Sequence, residues 1–417
     1  MNSNHVNLGR RTRALMAAAG LATALAMATD SLGQTLNWNN ALGGAASTSG
    51  NWSPVAVPGA ANDLVYNIVA NYSVTFNAAT IASRTQTFKK GTIALTMSSP
   101  HTTSSGVTIG SALGDNPVVT LLSGTWNSTF NSSTGFDIGD VPGASGTLNV
   151  NNNGDVIVGS TLEVGNDPQG GTGTLNINSG ALVSATSVID GTFGTINHNG
   201  GTLKINGGTY TGHADPLVVT GTGSPTLQLS NNLSKAIAPA GAVAIIVGDD
   251  TGAGAFTGNL LIDSGADLIL SGPSKDIIIG DDSGTTGAIV VSGVGSRLVA
   301  NQPGDDIFVG RNGTGTLTIE NGGQLLATSI QVPASSLNGN GTMFMNGSVA
   351  QTVTTANLAV GNAPGLGNGN VIMNKGTMNV TNPGVGIVIR ESGSLNVNAT
   401  ADLNVSGTVL VDRGSLS

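Results

Sequence analysis

The stretch that decides the fold runs from residue 164 to residue 182: Val164-Gly165-Asn166, a short loop, Gly173-Thr174-Leu175-Asn176-Ile177, and then Gly180-Ala181-Leu182. The phrase returns elsewhere as Ile138-Gly139-Asp140 with Gly146-Thr147-Leu148-Asn149-Val150, and as Val309-Gly310-Arg311 with Gly315-Thr316-Leu317-Thr318-Ile319. A repeat of this length, built from short strands with apolar residues at alternate positions, indicates a β-solenoid.

The glycine that follows the aliphatic residue serves as a marker for each unit. It falls at Gly110, Gly139, Gly165, Gly191, Gly221, Gly248, Gly280, Gly310 and Gly361. The spacings are 29, 26, 26, 30, 27, 32, 30 and 51 residues, with Gly191 an imperfect member and Gly221 a weak one. Because the last gap is nearly twice the others, a degenerate coil is predicted around Gly339 to Val349.

Each unit contains three predicted strands, which in one unit are Thr161–Val164, Thr174–Ile177 and Ala181–Ser184. Three strands per turn predict an all-β protein with a three-sided, right-handed parallel β-helix of ten or eleven coils, roughly 50 Å long. The inward side chains are predicted to form two stacks. One contains Leu148, Leu175, Ile289 and Leu317, and the other contains Ile138, Val164, Ile279 and Val309.

Residues 34–100 do not fit the repeat, so we predict an N-terminal β-rich cap module there and a solenoid over 101–417. The module holds Trp38 and Trp52, two of the three tryptophans. A repeat rod needs its end covered, and buried aromatic rings fill such a cap. The alternative is a small carbohydrate-binding module that uses the same two tryptophans.

Residues 1–33 have the features of a signal peptide, with three arginines before an apolar run from Ala14 to Ala28 and small-residue cleavage sites after it. Removal of residues 1–33 takes away these three arginines and Asp30, so the net charge changes from −9 to −11. An acidic surface without a basic cluster argues against nucleic acid as a partner. The chain has no cysteine, and no later apolar run is long enough to span a bilayer.

Differences in unit length concentrate in the turn after the marker glycine. The next strand's first Leu or Ile follows that glycine by nine residues at Leu148, ten at Leu175 and seven at Leu317. Solenoids accept insertions along one edge, which is often the binding edge.

Acidic residues recur beside the same glycine. Asp249, Asp250, Asp281 and Asp282 are predicted to stack on neighbouring coils, where calcium would relieve repulsion between like charges. The alternative, which we favour, is turn chemistry, because Asp and Asn side chains hydrogen-bond their own turns. Calcium is then expected to be inert, so we assign no metal ligand and no cofactor.

No constellation of catalytic residues stands out. The nearest carboxylate pairs are Asp137 with Asp140 and Asp305 with Asp306, and both lie in or beside the turn phrase. The histidines of the mature region have no metal-ligand spacing. His198 is predicted to be exposed in a turn at the end of a strand, so its replacement by Ala should have almost no effect. We therefore assign no catalytic residue.

The repeat resembles the β-solenoid repeats of bacterial autotransporter passenger-like proteins, and of exported proteins that carry a C-terminal sorting tail. The segment that starts at Trp38-Asn39-Asn40 and continues through Gly50-Asn51-Trp52-Ser53-Pro54 is similar to the start of the mature region in these proteins. The resemblance implies a surface or secreted protein and supplies no catalytic residues.

The sequence therefore favours an exported, non-enzymatic scaffold or adhesin of the cell surface or extracellular matrix. Its partner would be a surface polysaccharide or another cell-surface protein. The alternative is a β-helical polysaccharide lyase or glycoside hydrolase. The sequence stops within repeat-like sequence at Ser417, where a bare solenoid end would expose pairing edges. Three expectations follow: the sequence is a piece of a longer chain, the last strands cap themselves, or the protein associates end to end.

Overall fold

A computed structural model describes residues 33–130, 135–165, 170–212, 216–237, 240–249, 255–333, 339–347, 351–363 and 366–417. The predicted signal peptide lies outside the described residues except for Gly33, and so do Asp250 and part of the predicted degenerate coil.

The described residues form 38 strands and one short 3-10 helix, Ser49–Asn51. The first part contains β1 (Thr35–Trp38), β2 (Gly44–Ala45), β3 (Trp52–Ser53), β4 (Asp63–Phe76), β5 (Ala82–Ser83), β6 (Thr85–Met97), β7 (His101–Thr103), β8 (Val107–Ile109), β9 (Val118–Ser128), β10 (Phe136–Ile138), β11 (Ser145–Val150), β12 (Gly154–Val164), β13 (Thr172–Asn178) and β14 (Leu182–Asp190). The middle part contains β15 (Gly194–Asn199), β16 (Thr202–Asn206), β17 (Tyr210–Thr211), β18 (Leu217–Val219), β19 (Thr226–Ser230), β20 (Ser234–Ile237), β21 (Val243–Val247), β22 (Thr257–Asp263), β23 (Asp267–Leu270), β24 (Asp276–Ile279), β25 (Thr286–Ser292) and β26 (Arg297–Ala300). The last part contains β27 (Asp306–Val309), β28 (Thr314–Glu320), β29 (Gln324–Val332), β30 (Asn340–Asn346), β31 (Thr352–Val360), β32 (Gly369–Met373), β33 (Gly376–Val380), β34 (Val385–Ile389), β35 (Gly393–Val397), β36 (Ala401–Val405), β37 (Thr408–Val411) and β38 (Ser415–Leu416).

The predicted all-β parallel β-helix is confirmed. Strands make up 60% of the described residues and helix 1%, in a solenoid of about 13 turns. Strands one coil apart pair in parallel, as β11 and β13 do with Leu148 opposite Leu175. The predicted degenerate coil is present as β30, which pairs with β28 on one edge and β32 on the other. The prediction of ten or eleven coils was too low.

The N-terminal segment also forms coils, and it carries aromatic side chains instead of the marker glycine. β4 pairs in parallel with β6, and β6 pairs in parallel with β9. Strand pairing therefore does not change at residue 100, where the cap module was predicted to end. Trp38 and Trp52 are 2% and 0% exposed and pack edge to face, with ring centroids 5.0 Å apart. They fill the interior and present no face to a sugar.

The coil has three sides, defined by strands in its N-terminal half. Side I contains β11, side II contains the first half of β12 (Gly154–Val158), and side III contains β10. On every side, alternate side chains point inward and are buried, as Val156 and Val158 are on side II. Burial of these aliphatic side chains is the main stabilising term, at about 1.5–3 kcal/mol each.

Two of the three sides are interrupted in the middle of the solenoid. Units such as Gly165 to Gly191 contain three strand segments, whereas the unit from Gly191 to Gly221 contains four short ones, β15 to β18. The chain therefore turns one extra corner before the next marker glycine. Within the described residues, pairing ends at β15 on side I and at β17 on side III, and a second sheet starts with β18 and β20. Of the three sides, only side II continues in the part of the chain that the structure describes, through the pairing of β16 with β19.

Because of this extra corner, the first predicted inward stack is wrong. Ile289 and Leu317 are in register with each other, but their column leads through Leu227 to Leu203 on side II. Leu148 and Leu175 lie in register with each other on side I. The predicted single stack is thus two stacks on two sides. The marker glycines therefore do not form one edge along the solenoid. They lie at one corner in the N-terminal half and at another corner after the interruption.

The marker glycine is required by close approach of the next coil. Gly139 has φ 76°, and a Cβ there would lie 2.3 Å from the carbonyl oxygen of Thr172. Gly310 has φ 77°, and its Cβ would lie 2.2 Å from the carbonyl oxygen of Asn340. A side chain at either position would be strained by backbone conformation and by contact.

Outward polar side chains add ladders that the sequence analysis did not predict. The amide of Asn176 donates to Asn149 at 2.7 Å, and the amide of Asn197 donates to Asn176 at 2.7 Å. Such ladders satisfy polar groups from one coil to the next and add to in-register stacking.

Candidate functional site

The structure brings together three of the four aspartates proposed as a cation site. One carboxylate oxygen from each of Asp249, Asp281 and Asp282 lies within 4.8 Å of the others. The turns after Gly248 and Gly280 hold them on neighbouring coils, since β21 pairs with β24. The fourth, Asp250, lies outside the described residues.

The next coil places a cation at the equivalent position. Arg311 follows the marker glycine Gly310, and its guanidinium forms an ion pair with the carboxylate of Asp281. Burial raises the pKa of Asp281, Arg311 opposes that effect, and Asp282 adds to it. The fixed guanidinium neutralises part of the cluster and takes a carboxylate oxygen that a metal ion would need.

The turn beside this cluster is closed by a hydroxyl group. Thr285 Oγ1 accepts a hydrogen bond from the backbone N–H of Asp282 at 3.2 Å and donates one to its carbonyl oxygen at 2.8 Å. The prediction that aspartate carboxyls make the turn bonds is therefore wrong for Asp281, whose carboxyl contacts Arg311 instead.

Replacing Arg311 with Gln should lower the free energy of unfolding by about 1–2 kcal/mol, because it leaves the acidic cluster without its cation on a partly exposed edge. Calcium should not change the melting temperature of the wild-type protein but should raise that of Arg311→Gln through binding to the folded state. Differential scanning fluorimetry with and without calcium measures both effects.

Arg297→Gln is the matched control. Arg297 also pairs with an aspartate on the neighbouring coil, Asp267, with its Nε donating at 2.8 Å, but its side chain is more exposed. Its loss should cost less stability and create no response to calcium. A rise of several degrees with calcium in the wild-type protein would show that the cluster is a cation site after all.

A second acidic group lies in a groove on side III of the N-terminal half. The groove has a volume of about 300 Å³. It is lined mainly by hydroxyl and carboxyl side chains, with one aromatic ring: Thr85, Thr87, Ser105, Gly106, Val107, Thr108, Phe130, Asp137 and Asp140. We refer to it as the Asp137 groove.

Asp137 is a buried residue of this groove whose carboxyl has a raised pKa. It is 8% exposed, and its Oδ1 has no hydrogen-bond partner among the described residues. Its strand neighbours are Thr108 on one coil and Glu163 on the next. Burial raises the pKa of Asp137 to about 7, and the charges of Asp140 and Glu163 contribute further. Near neutral pH this carboxyl is therefore partly protonated and able to donate a hydrogen bond.

The position of these carboxyls in the repeat could have indicated this acidic group, but turn chemistry was the simpler interpretation. Asp137 and Glu163 both lie two residues before a marker glycine, so the repeat itself aligns two carboxyls on adjacent coils. Like charges directly opposite each other destabilise a strand pair. The two residues before Asp137 in this row, Thr87 and Thr108, are uncharged.

The other predicted carboxylate pair behaves as turn chemistry. Asp305 is 0% exposed, and its carboxylate accepts hydrogen bonds from the backbone N–H of Lys275 at 2.8 Å and of Gln302 at 2.9 Å. Both oxygens are used to hold two turns together, which leaves this pair no catalytic role.

His101 belongs to a buried polar network. Its Nδ1 donates to the carbonyl oxygen of Thr80 at 2.7 Å, so Nε2 accepts from Gln86 at 2.8 Å and from Ser83 Oγ at 3.0 Å. Burial lowers the pKa of His101 to about 4. The Ser83 and His101 side chains resemble a nucleophile and base, but both are 0% exposed and no substrate can reach them.

The prediction that His198 is exposed in a turn is wrong. His198 lies in β15, opposite Ile177, and ends an inward column of side I. Its Nδ1 is buried without a hydrogen-bond partner, and burial lowers its pKa to about 4. It lines a groove of about 310 Å³ with Phe256 and Val218, where pairing on side I is interrupted. The expectation that His198→Ala has almost no effect on stability therefore no longer follows.

Comparison with protein-family models, with curated proteins and with solved structures gave no match for this chain. Among the described residues, no helix is both long and apolar enough to cross a membrane. The case for function therefore depends on the geometry of the solenoid and its two acidic groups.

Proposed function

We propose that this chain is an exported β-solenoid that works as a non-enzymatic scaffold or adhesin of the cell surface or extracellular matrix. The observation that carries the proposal is the long stack of about 13 coils, whose outward positions hold mostly short polar side chains. A rigid rod of this kind offers one extended surface, and stacked repeats commonly use such surfaces for binding. The leader-like residues before the solenoid support export.

The resemblance to autotransporter passenger-like and sorting-tail-associated repeats supports the same proposal. Those proteins combine a signal peptide with a β-solenoid that is displayed or released. A surface polysaccharide or another cell-surface protein is the proposed partner. The acidic balance of −9 argues against nucleic acid in this role.

The second candidate function is polysaccharide cleavage, and the Asp137 groove is the observation that favours it. Glycoside hydrolases use two carboxyl groups, one of which holds a proton. Asp137 and Asp140 supply two carboxyls in one groove. None of its described lining residues is Lys or Arg, which disfavours a lyase that acts on acidic sugars.

Two measurements test the proposed function. Fractionation and surface labelling of cells that express the full chain should place it outside the cytoplasm, and the purified protein should bind whole cells or isolated wall polysaccharide without shortening it. Release of reducing ends from a panel of pectin, alginate, glycosaminoglycan and neutral glucans would replace the scaffold proposal with the enzymatic one.

A further inference from the structure

The Asp137 groove combines a buried carboxyl with a row of hydroxyl groups on neighbouring coils. Asp137 Oδ1 is buried, and no residue in the described ranges forms a hydrogen bond with it. Leaving a buried polar atom unpaired costs about 1–3 kcal/mol, so a stable fold normally satisfies it. A carboxyl oxygen facing an open groove can be satisfied by a ligand.

The surroundings of Asp137 indicate what that ligand is. Thr87 and Thr108 are stacked neighbours on β6 and β8, and Asp137 continues their row on β10. The row presents two hydroxyls and one carboxyl at the spacing between strands, about 4.8 Å. The ring of Phe130 lines the same groove. Hydrogen-bonding groups at regular spacing beside one aromatic face suit a ring that carries several hydroxyl groups.

The charge of the residues in and beside the groove limits which ligands it can bind. Asp140 lines the groove, Glu163 is the strand neighbour of Asp137, and the lining residues that the structure describes include no Lys or Arg. Uronic acids, sulfates and phosphates would be repelled by these carboxylates. With a volume of about 300 Å³, the groove is at the small end of ligand sites and too small to seat a folded partner.

We infer that the Asp137 groove binds a neutral, hydroxyl-rich glycan, with the carboxyl of Asp137 as the central hydrogen-bonding group. The inference rests on the proposed adhesin function and names the site and ligand class that serve it. Thr87 and Thr108 position sugar hydroxyls along the row, and Phe130 covers one face of the ring.

The inference includes a dependence on pH. A neutral glycan over Asp137 removes water from the carboxyl and favours its protonated form, and Asp140 and Glu163 are the charged groups that act in the same direction. A ligand that raises the pKa of its site binds more tightly at low pH. Affinity should therefore fall as pH rises through about 7, by about tenfold between roughly pH 6 and pH 8.

Isothermal titration of the full chain with gluco-, xylo- and laminari-hexasaccharides tests this, with polygalacturonate and chitosan oligomers as the acidic and cationic probes. A neutral oligosaccharide should bind. Asp137→Ala should weaken binding by about tenfold or more, equivalent to one lost hydrogen-bonding group. Asp137→Asn, which imitates the protonated carboxyl, should keep the affinity seen at low pH and lose its pH dependence.

Asp155→Ala is the matched control, because Asp155 lies in β12 on side II, outside the groove. It should bind as the wild-type protein does. Melting curves of each variant separate loss of binding from loss of folding, and Asp137→Asn keeps the test valid if Asp137→Ala fails to fold.

Three outcomes would overturn the inference. These are binding of neutral glycans that Asp137→Ala leaves unchanged, binding only of the acidic or cationic probe, and no binding of any neutral probe. In the first case the adhesin function survives without this site. Shortened oligosaccharides produced by the wild-type protein and not by Asp137→Asn would support the groove as the sugar site but contradict the non-catalytic function.

Discussion

Replacing Leu317 with Asp should lower the free energy of unfolding by more than about 4 kcal/mol, because it puts an unpaired charge into an aliphatic column. Leu317 is 0% exposed and lies between Ile289 on one coil and Met343 on the next. A solenoid coil is stabilised mainly by its neighbours, so damage should spread to the adjoining coils. Leu175→Asp should have the same effect in the N-terminal half.

Thr316→Asp is the control, because Thr316 precedes Leu317 in β28 and faces outward. Its melting temperature should stay within a few degrees of the wild-type value. Urea unfolding followed by circular dichroism measures both variants. Equal stability of Leu317→Asp and Thr316→Asp would mean that the inward face of this side is wrongly assigned.

Asp137→Asn should stabilise the fold at alkaline pH and have little effect in acid. The pKa of Asp137 is about 7 when folded, against an ordinary value of 3.8. The folded state therefore holds the proton more tightly, and the stability this provides is present below the ordinary value and lost as pH rises through about 7. The loss approaches about 4 kcal/mol by linkage, and the Asn variant is spared it.

Denaturant unfolding of both proteins at about pH 4 and about pH 8 measures the difference. Buried His101 and half-buried His198, whose pKa values are lowered to about 4, destabilise the fold below about pH 6.5, but they do so in both proteins. Asp140→Asn removes one of the like charges and should give a smaller gain of the same sign. A constant difference between wild type and Asp137→Asn across this range would contradict the assignment.

The repeat in the sequence was sufficient to predict the architecture. Leu175 and Leu317 occupy the inward positions expected from alternation, since a strand's side-chain period is two and a slip of one residue would expose them. The N-terminal coils were missed because Trp38, Trp52 and their aromatic neighbours replace the aliphatic pattern, and aromatic residues are equally typical of a separate cap.

The interrupted sides could not be predicted from spacing. Gly191 and Gly221 are 30 residues apart, an ordinary distance in this series, yet they enclose four strands because each strand is short. The spacing between two marker glycines gives the number of residues in a unit but not the number of corners that the chain turns within it.

The candidate site was only partly predictable for a related reason. The approach of Asp249, Asp281 and Asp282 follows from the repeat, but their pairing with Arg311 depends on a side-chain orientation. The burial of Asp137 depends on groups that lie near it only after folding. His198 was placed outside because Asn and Gly residues around it are typical of turns, whereas tertiary stacking on Ile177 keeps it in a strand.

Among the described strands of this parallel solenoid, side II is the one side whose pairing passes through the middle, with β16 stacked on β19. Pairs of cysteines test it directly, since the chain has no native cysteine. Lys204 and Gln228 are strand neighbours, so Lys204→Cys/Gln228→Cys should form a disulfide rapidly under mild oxidation. If the repeat continued without an extra corner, Asn197 would instead face Gln228, and Asn197→Cys/Gln228→Cys would be the pair that closes. Cross-linking of 204 with 228 but not of 197 with 228 is the predicted result, and the reverse would contradict the account.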